Sequence, residues 1–450
     1  MPDAASEPRS KRLALHKRPW VVMSTILLIL VGIAGYLYLF HDSPPPYDAD
    51  LIPEFSLKSG GENPLATFSR EMAAHKTDDW AGLPEEARTW KAGQEPVLQA
   101  YLDKHATQKG LLEALLRTDP DLWRWKGVDA SFSVQSEFSD LTPCMTAANQ
   151  LGKTEIILLH RAGRHAEAAE KAIQQVKFGS QLAKLDGALI HLLVGMSVQR
   201  VGEQLIRTTL TPVSDESLLR QTQEALAAYD LPSTSVARTF RIEYLFSRNS
   251  PMIPDKATQE FWGLKDWEIL AMTYLTLPNR TGAEYCDRSR RLIQGLDRNW
   301  ISACETSREI SRENSQQYAE GWKSFLRPNA GGRILSRFGW RASLPLVTKA
   351  CGSEALHHMT IVTLALRRHE LVHGHLPDTL QELVPEFLKE VPLDPFDGQP
   401  LRWDATKKWL YSVSENLTDN HGTHDRPEKP DSNNPDLVMP YWWLPEVVKE

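Results

Sequence analysis

Three residues in the C-terminal part of this chain have the types and spacing of a metal-dependent hydrolase. His369, Glu370 and His373 form an H-E-x-x-H sequence. On a helix the two imidazoles would lie one turn apart on the same face, where they could share Zn²⁺ while Glu370 activates a water molecule. A zinc hydrolase that uses these three residues is therefore one interpretation of the sequence.

The residues around this motif favour a structural interpretation instead. A third zinc ligand has no defined place, because Glu382 and Glu386 are candidates only through their distance along the chain and His375 follows the motif too closely. Gly374 and Pro377 are expected to end the helix directly after the motif, since glycine suits a helix C-terminus and proline cannot continue a helix. The alternative is an exposed histidine pair in the last turn of a structural helix, where cationic side chains suit the helix dipole.

The elements that would position this motif follow one another in a clear order. A helix that begins near Ser353 is predicted to carry the motif in its last turn. The predicted elements after it are a short helix over Leu376–Phe387, a proline-rich turn over Val391–Gly398 and two strands over Pro400–Trp403 and Trp409–Val413. The strands are expected to pair as a hairpin. A small α+β unit is therefore expected over residues 353–450.

This order of elements resembles the C-terminal half of type II secretion major pseudopilins. The residues that carry the resemblance are Gly374 and Pro377 (G-x-x-P), Leu380–Pro385 (L-x-x-L-V-P), Val391–Pro400 around P-L-D-P-F-x-G-x-P, and Tyr411–Ser414 in a Y-S strand. The resemblance implies a pseudopilin-like folding module at the C-terminus. The whole chain also looks like uncharacterised, membrane-anchored, helix-rich bacterial proteins.

The pseudopilin resemblance also implies a calcium loop after the second strand. The positions that match it, or that add oxygen ligands nearby, are Asn416, Asp419, Asp425 and Asp436. Calcium prefers six to eight hard oxygen ligands, which carboxylates and amide carbonyls supply. The alternative is a polar loop exposed to solvent without a bound ion, so Ca²⁺ is a possible cofactor and no other cofactor is indicated.

An apolar run without charged residues extends from Trp20 to Phe40. At about 1.5 Å per residue this run is long enough to cross the hydrocarbon core of a bilayer. We expect a membrane-spanning signal anchor rather than a cleaved signal peptide, whose apolar region is shorter. The basic tail over residues 1–19 predicts a cytoplasmic N-terminus. The bulk of the chain would then lie on the periplasmic side of a bacterial inner membrane.

The residues after the apolar run predict a linker and a large helical region. The proline-rich segment 41–55 is expected to act as a stiff spacer that holds the folded part away from the lipid. From residue 146 to 210, apolar and small residues at helical spacing flank the turn around Gly163, which predicts an αα-hairpin with solenoid character. The expected class is mainly α, with the helical ectodomain over residues 56–352.

Further helices are predicted from apolar periodicity and from the prolines that separate the periodic segments. Their expected bounds are 64–75, 84–116, 215–229, 235–246, 266–277, 283–317 and 336–350. Alternating patterns typical of strands are scarce before residue 400.

Composition excludes several classes of function. With a net charge of −7 over 450 residues, the chain is not expected to bind nucleic acid. Gly152-Lys153-Thr154 lacks the rest of a phosphate-binding loop, and no nucleophile motif is present. The 4 cysteines, Cys144, Cys286, Cys304 and Cys351, allow two disulfides or buried free thiols.

The combined expectation is a non-enzymatic, single-pass membrane protein. Its membrane contact would be the Trp20–Phe40 helix, and its helical domain would bind an unidentified protein or envelope partner. The alternative is a membrane-anchored zinc hydrolase based on His369, Glu370 and His373.

Overall fold

The structure is a computed structural model that describes residues 19–55, 62–75, 93–133, 136, 138–250, 256–261, 263–319, 327–422 and 436–441. The described part is mainly helical, as predicted. Its helices are α1 Pro19–Phe40, α2 Pro64–Ala74, α3 Glu95–Lys104, α4 Ala106–Leu116, α5 Leu141–Thr146, α6 Lys153–Arg161, α7 His165–Lys184, α8 Leu189–Leu210, α9 Glu216–Leu226, α10 Ser233–Asn249, α11 Lys256–Phe261, α12 Asp266–Tyr274, α13 Pro278–Arg298, α14 Trp300–Ala319 and α15 Ala330–His373.

The N-terminal helix α1 is long and apolar enough to cross a membrane. Its most apolar stretch, Met23–Phe40, has a mean hydropathy of 2.1, and 0% of that stretch is buried against the rest of the chain. An apolar helix that contacts no protein core needs another apolar environment. This finding supports the predicted membrane span, while the basic residues that would set its orientation lie outside the described residues.

The segment after α1 lies on the helical domain rather than extending away from it. The Asp42 carboxylate accepts hydrogen bonds from the backbone N–H groups of Asn279 (2.9 Å) and Arg280 (3.0 Å) in the first turn of α13. The residue before that helix is Leu277, whose side chain cannot cap it. Asp42 therefore supplies the negative charge and the acceptors that a helix N-terminus requires.

Two further carboxylates hold the same segment against α10 and α13. Asp48 accepts hydrogen bonds from the Tyr244 hydroxyl (2.9 Å) and pairs with Arg248 at 2.8 Å. Asp50 forms a bidentate pair with Arg290 at 2.6 and 2.8 Å, and this pair holds the pKa of the Asp50 carboxyl below its usual value. Because Leu51 is buried in the main core, this segment is a strap on the helical domain and not a free spacer.

The αα-hairpin predicted around Gly163 is present as α6 and α7, and the longer helix α8 packs closely on α7. Small residues let the two long helices approach closely. A Cβ added at Gly179 would lie 2.1 Å from the backbone nitrogen of Gln199, and one added at Gly195 would lie 2.3 Å from that of Ala183. Any side chain at these positions would force the helices apart.

The helix predicted over residues 283–317 is two helices, α13 and α14. The chain turns at Asn299, whose backbone is fully extended and whose side chain accepts a hydrogen bond from the Ser302 N–H at 2.8 Å. Asparagine is among the best residues for starting a helix in this way. The apolar periodicity continues across this turn, which is why the pattern alone did not separate the two helices.

At α15, two predicted helices are joined into one. The helices predicted over 336–350 and from near Ser353 form a single helix of 44 residues. Gly352 lies in its interior, and Pro345 is also accommodated within it. Such residues cost about 1 and 3 kcal/mol in a helix, respectively. Buried residues on both sides, including Val347 and Ala355, offset that cost by packing into the main core.

The C-terminal residues form a small sheet that packs on the second half of α15. Its strands are β1 Arg402–Asp404, β2 Trp409–Ser412 and β3 Leu437–Pro440, paired antiparallel in the order β1-β2-β3. The hairpin was predicted with slightly longer strands, but β3 was not predicted. The expected helix over Leu376–Phe387 is only a 3₁₀ turn, Leu380–Leu383, capped by Thr379 and Glu382. The pseudopilin-like identity of this module stays a prediction.

All four cysteines are free thiols in buried positions, so the structure contains no disulfide. Cys304 and Cys351 contribute to the main core, where α14 and α15 pack together. Burial raises the pKa of the Cys351 thiol, which keeps it protonated and unreactive. The interpretation as buried free thiols is the one that the structure supports.

Gly179 offers a test of the close packing between α7 and α8. We expect Gly179→Ala to lower the free energy of unfolding by about 1 to 3 kcal/mol, because the added methyl group meets the α8 backbone. Gly110→Ala on α4 is the matched control. Its Cβ would meet nothing within 4 Å, so helix propensity should raise stability by up to about 1 kcal/mol. Chemical denaturation in detergent would show the difference, and equal stability of Gly179→Ala and wild type would contradict the packing.

Candidate functional site

The H-E-x-x-H histidines lie in the last turn of α15, and their rings face Phe387. The centroids of the His369 and His373 rings are 4.4 Å apart, and they lie 5.5 and 5.8 Å from the Phe387 ring. His369 is buried, and its Nδ1 lies 3.0 Å from the backbone oxygen of His375. The Nε2 atom of His373 is 3.9 Å from the Glu386 carboxylate. Both histidines are therefore part of the packing at the end of the helix.

The Glu370 carboxylate is hydrogen-bonded to residues other than the two histidines. Its Oε2 accepts hydrogen bonds from the Arg367 guanidinium (2.5 Å) and the Tyr441 hydroxyl (2.6 Å). Burial acts to raise the pKa of Glu370, but these two partners outweigh it and the pKa is lowered. A carboxylate fixed in this way ties the segment after the C-terminal strand to α15. Within the described residues, no group of three or more His, Cys, Asp or Glu is arranged to hold a metal ion.

The turn that carries the pseudopilin-like sequence is built around a buried carboxylate, Asp394. Its oxygens accept hydrogen bonds from the N–H groups of Phe396 (3.0 Å) and Val413 (2.9 Å) and from the Ser412 hydroxyl (2.9 Å). The Arg402 guanidinium also lies 3.1 Å from the Asp394 carboxylate. Burial raises the pKa of Asp394, although these donors favour the charged form. Asp394 therefore joins the turn to β2 and explains why the sequence has an aspartate here.

The calcium candidates lie near one another, except that Asp425 lies outside the described residues. Asn416 accepts a hydrogen bond from Thr418 N–H at 2.9 Å, in its own turn. Asp436 is buried, and its Oδ2 accepts hydrogen bonds from the N–H groups of Asn420 (3.1 Å) and Gly422 (2.9 Å).

The charge that a cation would supply here already comes from Arg402. Its guanidinium contacts Asp397 and lies 3.7 Å from Asp419. The Oδ1 atom of Asp436 is buried and has no hydrogen-bond partner among the described residues. Within the described residues no group of acidic side chains is arranged to hold a metal ion, and residues 423–435 of this loop lie outside them, so the calcium site stays a prediction.

A buried ionic pair joins α8 to α15 in the middle of the helical domain. His357 Nδ1 lies 2.7 Å from Glu203 Oε1, and both side chains are 1% exposed. Burial lowers the pKa of His357, but the hydrogen bond and charge of Glu203, with weaker contributions from Glu354 and Asp230, raise it overall. One turn further along both helices, Arg207 donates a hydrogen bond to Thr360. Removing one member of such a pair leaves the other charge buried and unpaired.

A groove lies between α14 and α15 in the described part of the helical domain. Its volume is about 840 Å³, which is within the usual range for ligand sites. The residues that line it are Ser307, Arg308, Ser311, Arg312, Asn314, Ser315, Arg337, Trp340, Leu344, Pro345, Thr348, Lys349 and Glu415. Cations and hydroxyl groups therefore form its walls, and a few apolar side chains form its base.

The charges in this groove are unbalanced. Arg308 donates a hydrogen bond to the Cys304 backbone oxygen at 3.2 Å. Among the described residues, no carboxylate lies within ion-pair distance of Arg308, Arg312 or Lys349. The neighbouring acids of α14 instead face α13, where Arg291 pairs with Glu309 and Glu313. Sequence reasoning missed these groove residues, although the repeated Arg-Glu pair four residues apart on α14 was a usable signal.

The base of the groove contains an indole N–H without a partner. Trp340 is 1% exposed and packs against Tyr285, with ring centroids 5.0 Å apart. Its Nε1 atom is buried and makes no hydrogen bond to any described residue. Buried donors are nearly always satisfied in native proteins. The indole nitrogens of Trp125, Trp300 and Trp409 are also buried and make no hydrogen bond to a described residue, so this property does not distinguish the groove.

The His357–Glu203 pair predicts a pH dependence of stability. Because the pKa of His357 is raised on folding, its stabilisation is fully present below the unfolded value of about 6.5 and is lost as the pH rises through the folded value. We expect the stability difference between wild type and His357→Gln to be larger at pH 6 than at pH 9. Thermal unfolding at both pH values measures it, with the exposed His75→Gln as control. A difference that grows with pH would contradict this assignment.

Comparison with known proteins adds no family assignment to this geometry. No protein-family model, no curated protein and no solved structure matches the chain. The features of the chain that bear on its function are the strap after α1 and the groove between α14 and α15.

Proposed function

We propose that this protein is a non-enzymatic, single-pass membrane protein whose helical domain lies on the extracytoplasmic side and binds an acidic segment of a partner protein. The groove between α14 and α15 is the proposed binding site. The observation that carries the proposal is a set of cations on both walls of one cavity, Arg308, Arg312 and Lys349, which have no carboxylate partner among the described residues. The apolar helix α1 supports the membrane location.

Charge complementarity favours an anionic ligand. Arg308 and Arg312 are four residues apart and so project from the same side of α14, while Lys349 comes from the opposite wall on α15. Glutamate and aspartate side chains would form charge-assisted hydrogen bonds with these groups, which are stronger than neutral ones. The single acid of the lining, Glu415, lies on a neighbouring element and leaves the groove with a positive excess.

The kind of anion follows from the rest of the lining. The Ser311 hydroxyl and the Asn314 amide N–H can donate hydrogen bonds to a peptide backbone, and the Ser315 hydroxyl oxygen can accept one. The Asn314 Oδ1 atom accepts a hydrogen bond from Arg288 at 2.8 Å, and the Ser315 hydroxyl donates to the Ser311 backbone oxygen at 2.9 Å. Arginine side chains bind phosphate as well as carboxylate groups, but many phosphate sites add backbone N–H groups at a helix N-terminus. Here the lining residues lie inside α14 and α15, where backbone N–H groups are bonded within the helix. An acidic peptide therefore suits this groove better than a phosphate ligand.

The proposed role of the C-terminal module is structural. Its sheet packs on α15, and Tyr441 is tied to that helix through Glu370. We propose that it is a pseudopilin-like cap that stabilises the end of α15. The H-E-x-x-H histidines would then be part of that cap, with no role in catalysis.

Peptide binding to the full chain in lipid nanodiscs tests the proposal. We expect a fluorescein-labelled hexaglutamate peptide to bind, and Arg308→Gln/Arg312→Gln to weaken binding by at least about tenfold, because each lost charge-assisted bond is worth more than 1 kcal/mol. Arg220→Gln is the matched control, since Arg220 is an exposed arginine on α9 away from the groove. Fluorescence anisotropy would give both dissociation constants.

Two outcomes would overturn the groove assignment. One is hexaglutamate binding that is equal in the wild type and in the double variant. The other is the absence of peptide binding together with tight binding of inositol hexakisphosphate that the double variant loses, which would assign the groove to a phosphate-bearing ligand instead. Both measurements use the same protein preparations, and circular dichroism would show that each variant is folded.

A further inference from the structure

The outer face of α12 is unusually apolar for a surface helix. Trp267, Leu270 and Tyr274 are 41%, 59% and 72% exposed. They are three and four residues apart, so they form one stripe along the helix. Among the described residues outside α1, α12 is the helix that carries three exposed large apolar side chains. Apolar stripes of this kind usually mark an interaction surface.

We propose that α12 lies in the interfacial layer of the same bilayer that α1 crosses, with Trp267, Leu270 and Tyr274 among the lipid headgroups and upper acyl chains. This inference rests on the membrane-spanning part of the proposed function and does not depend on the groove. It identifies the occupant of the stripe as a lipid surface.

Helix α12 lies beside the C-terminal end of α1, where the chain would leave the bilayer. Asp42 lies two residues after the end of α1 and is hydrogen-bonded to Asn279 N–H at 2.9 Å. The same strap contacts α13 again, where a Cβ on Gly282 would be 3.6 Å from Pro46. Tyr274 precedes Asn279 by only five residues, which span at most about 18 Å. The apolar stripe thus ends close to the point where the chain leaves the bilayer.

The inner face of α12 fixes the direction of the stripe. Ala271 and Met272 are buried and pack with Ile334 of α15. A Cβ on Gly331 would lie 2.2 Å from the Ala271 backbone oxygen, so the two helices are in direct backbone contact. Gly331 N–H also donates a hydrogen bond to the Leu275 backbone oxygen at 3.1 Å. Because α12 is held from behind, its exposed side chains cannot turn into the protein core.

The chemistry of the stripe favours a lipid interface over a protein partner. Tryptophan and tyrosine are enriched at the headgroup level, where the ring is apolar and its N–H or O–H is hydrated. The exposed polar residues Asp266 and Thr273 lie together on one flank of the stripe, as a helix lying along an interface requires. The strap adds one more aromatic residue, Tyr47, which is 75% exposed.

Spin-label accessibility in nanodiscs tests this inference on the full chain. A nitroxide would be attached at Leu270→Cys, at Leu30→Cys inside α1, and at Val97→Cys on α3 as an exposed control of similar size. The native cysteines are all buried and free, which limits their labelling. At position 270 we expect collisions with a water-soluble nickel chelate to fall at least about twofold relative to position 97, and collisions with oxygen to rise.

The three label positions show whether α12 lies at the lipid surface independently of whether α1 crosses the bilayer. In one outcome, the label at position 30 is shielded by the bilayer while the label at position 270 is as hydrated as the label at position 97. That result would overturn the α12 assignment and leave the membrane span intact. A hydrated label at position 30 would overturn both. Protection at position 270 that appears only at high protein concentration would assign the stripe to a second copy of the chain, and would also contradict the proposal.

Discussion

The strap formed by residues 41–55 is the constraint on which the arrangement of this protein depends. Three aspartates hold it: Asp42 caps α13, and Asp48 and Asp50 pair with arginines of α10 and α13. Exposed ion pairs contribute little individually. Here the pairs act together with a helix cap and with Leu51, which is buried in the main core. The strap therefore holds the helical domain against the C-terminal end of the apolar helix α1.

The long helix α15 connects the parts of the domain to one another. Its first half packs into the main core with α13 and α14, and its middle meets α8 through His357. Its last turns support the C-terminal sheet. The groove lies along the first half of this helix, and α12 packs on its N-terminal end. Both the proposed binding site and the proposed lipid-facing helix are thus held by the same element, which links their orientations to the bilayer.

The sequence predicted those features that depend on local patterns. The αα-hairpin followed from a glycine turn and small residues, and the long apolar helix α1 from an uninterrupted apolar run. The cap that Asp42 provides could not be predicted, because it joins residues 237 positions apart. The groove was missed for a similar reason, since its cations come from two helices. The helix through Gly352 was missed because tertiary packing overrode a weak local preference. The roles of His369, Glu370 and Asp436 depended on their neighbours in space, chiefly Phe387, Tyr441 and Gly422.

The central claim is that the strap holds the helical domain in one orientation relative to the membrane helix. The distribution of distances between spin labels at Leu30→Cys in α1 and Arg220→Cys in α9, measured by pulsed electron resonance in nanodiscs, tests it most directly. The structure predicts one narrow distribution, which Asp48→Ala/Asp50→Ala should broaden because it removes both ion pairs of the strap. A broad distribution in the wild type, unchanged by that double substitution, would contradict the account.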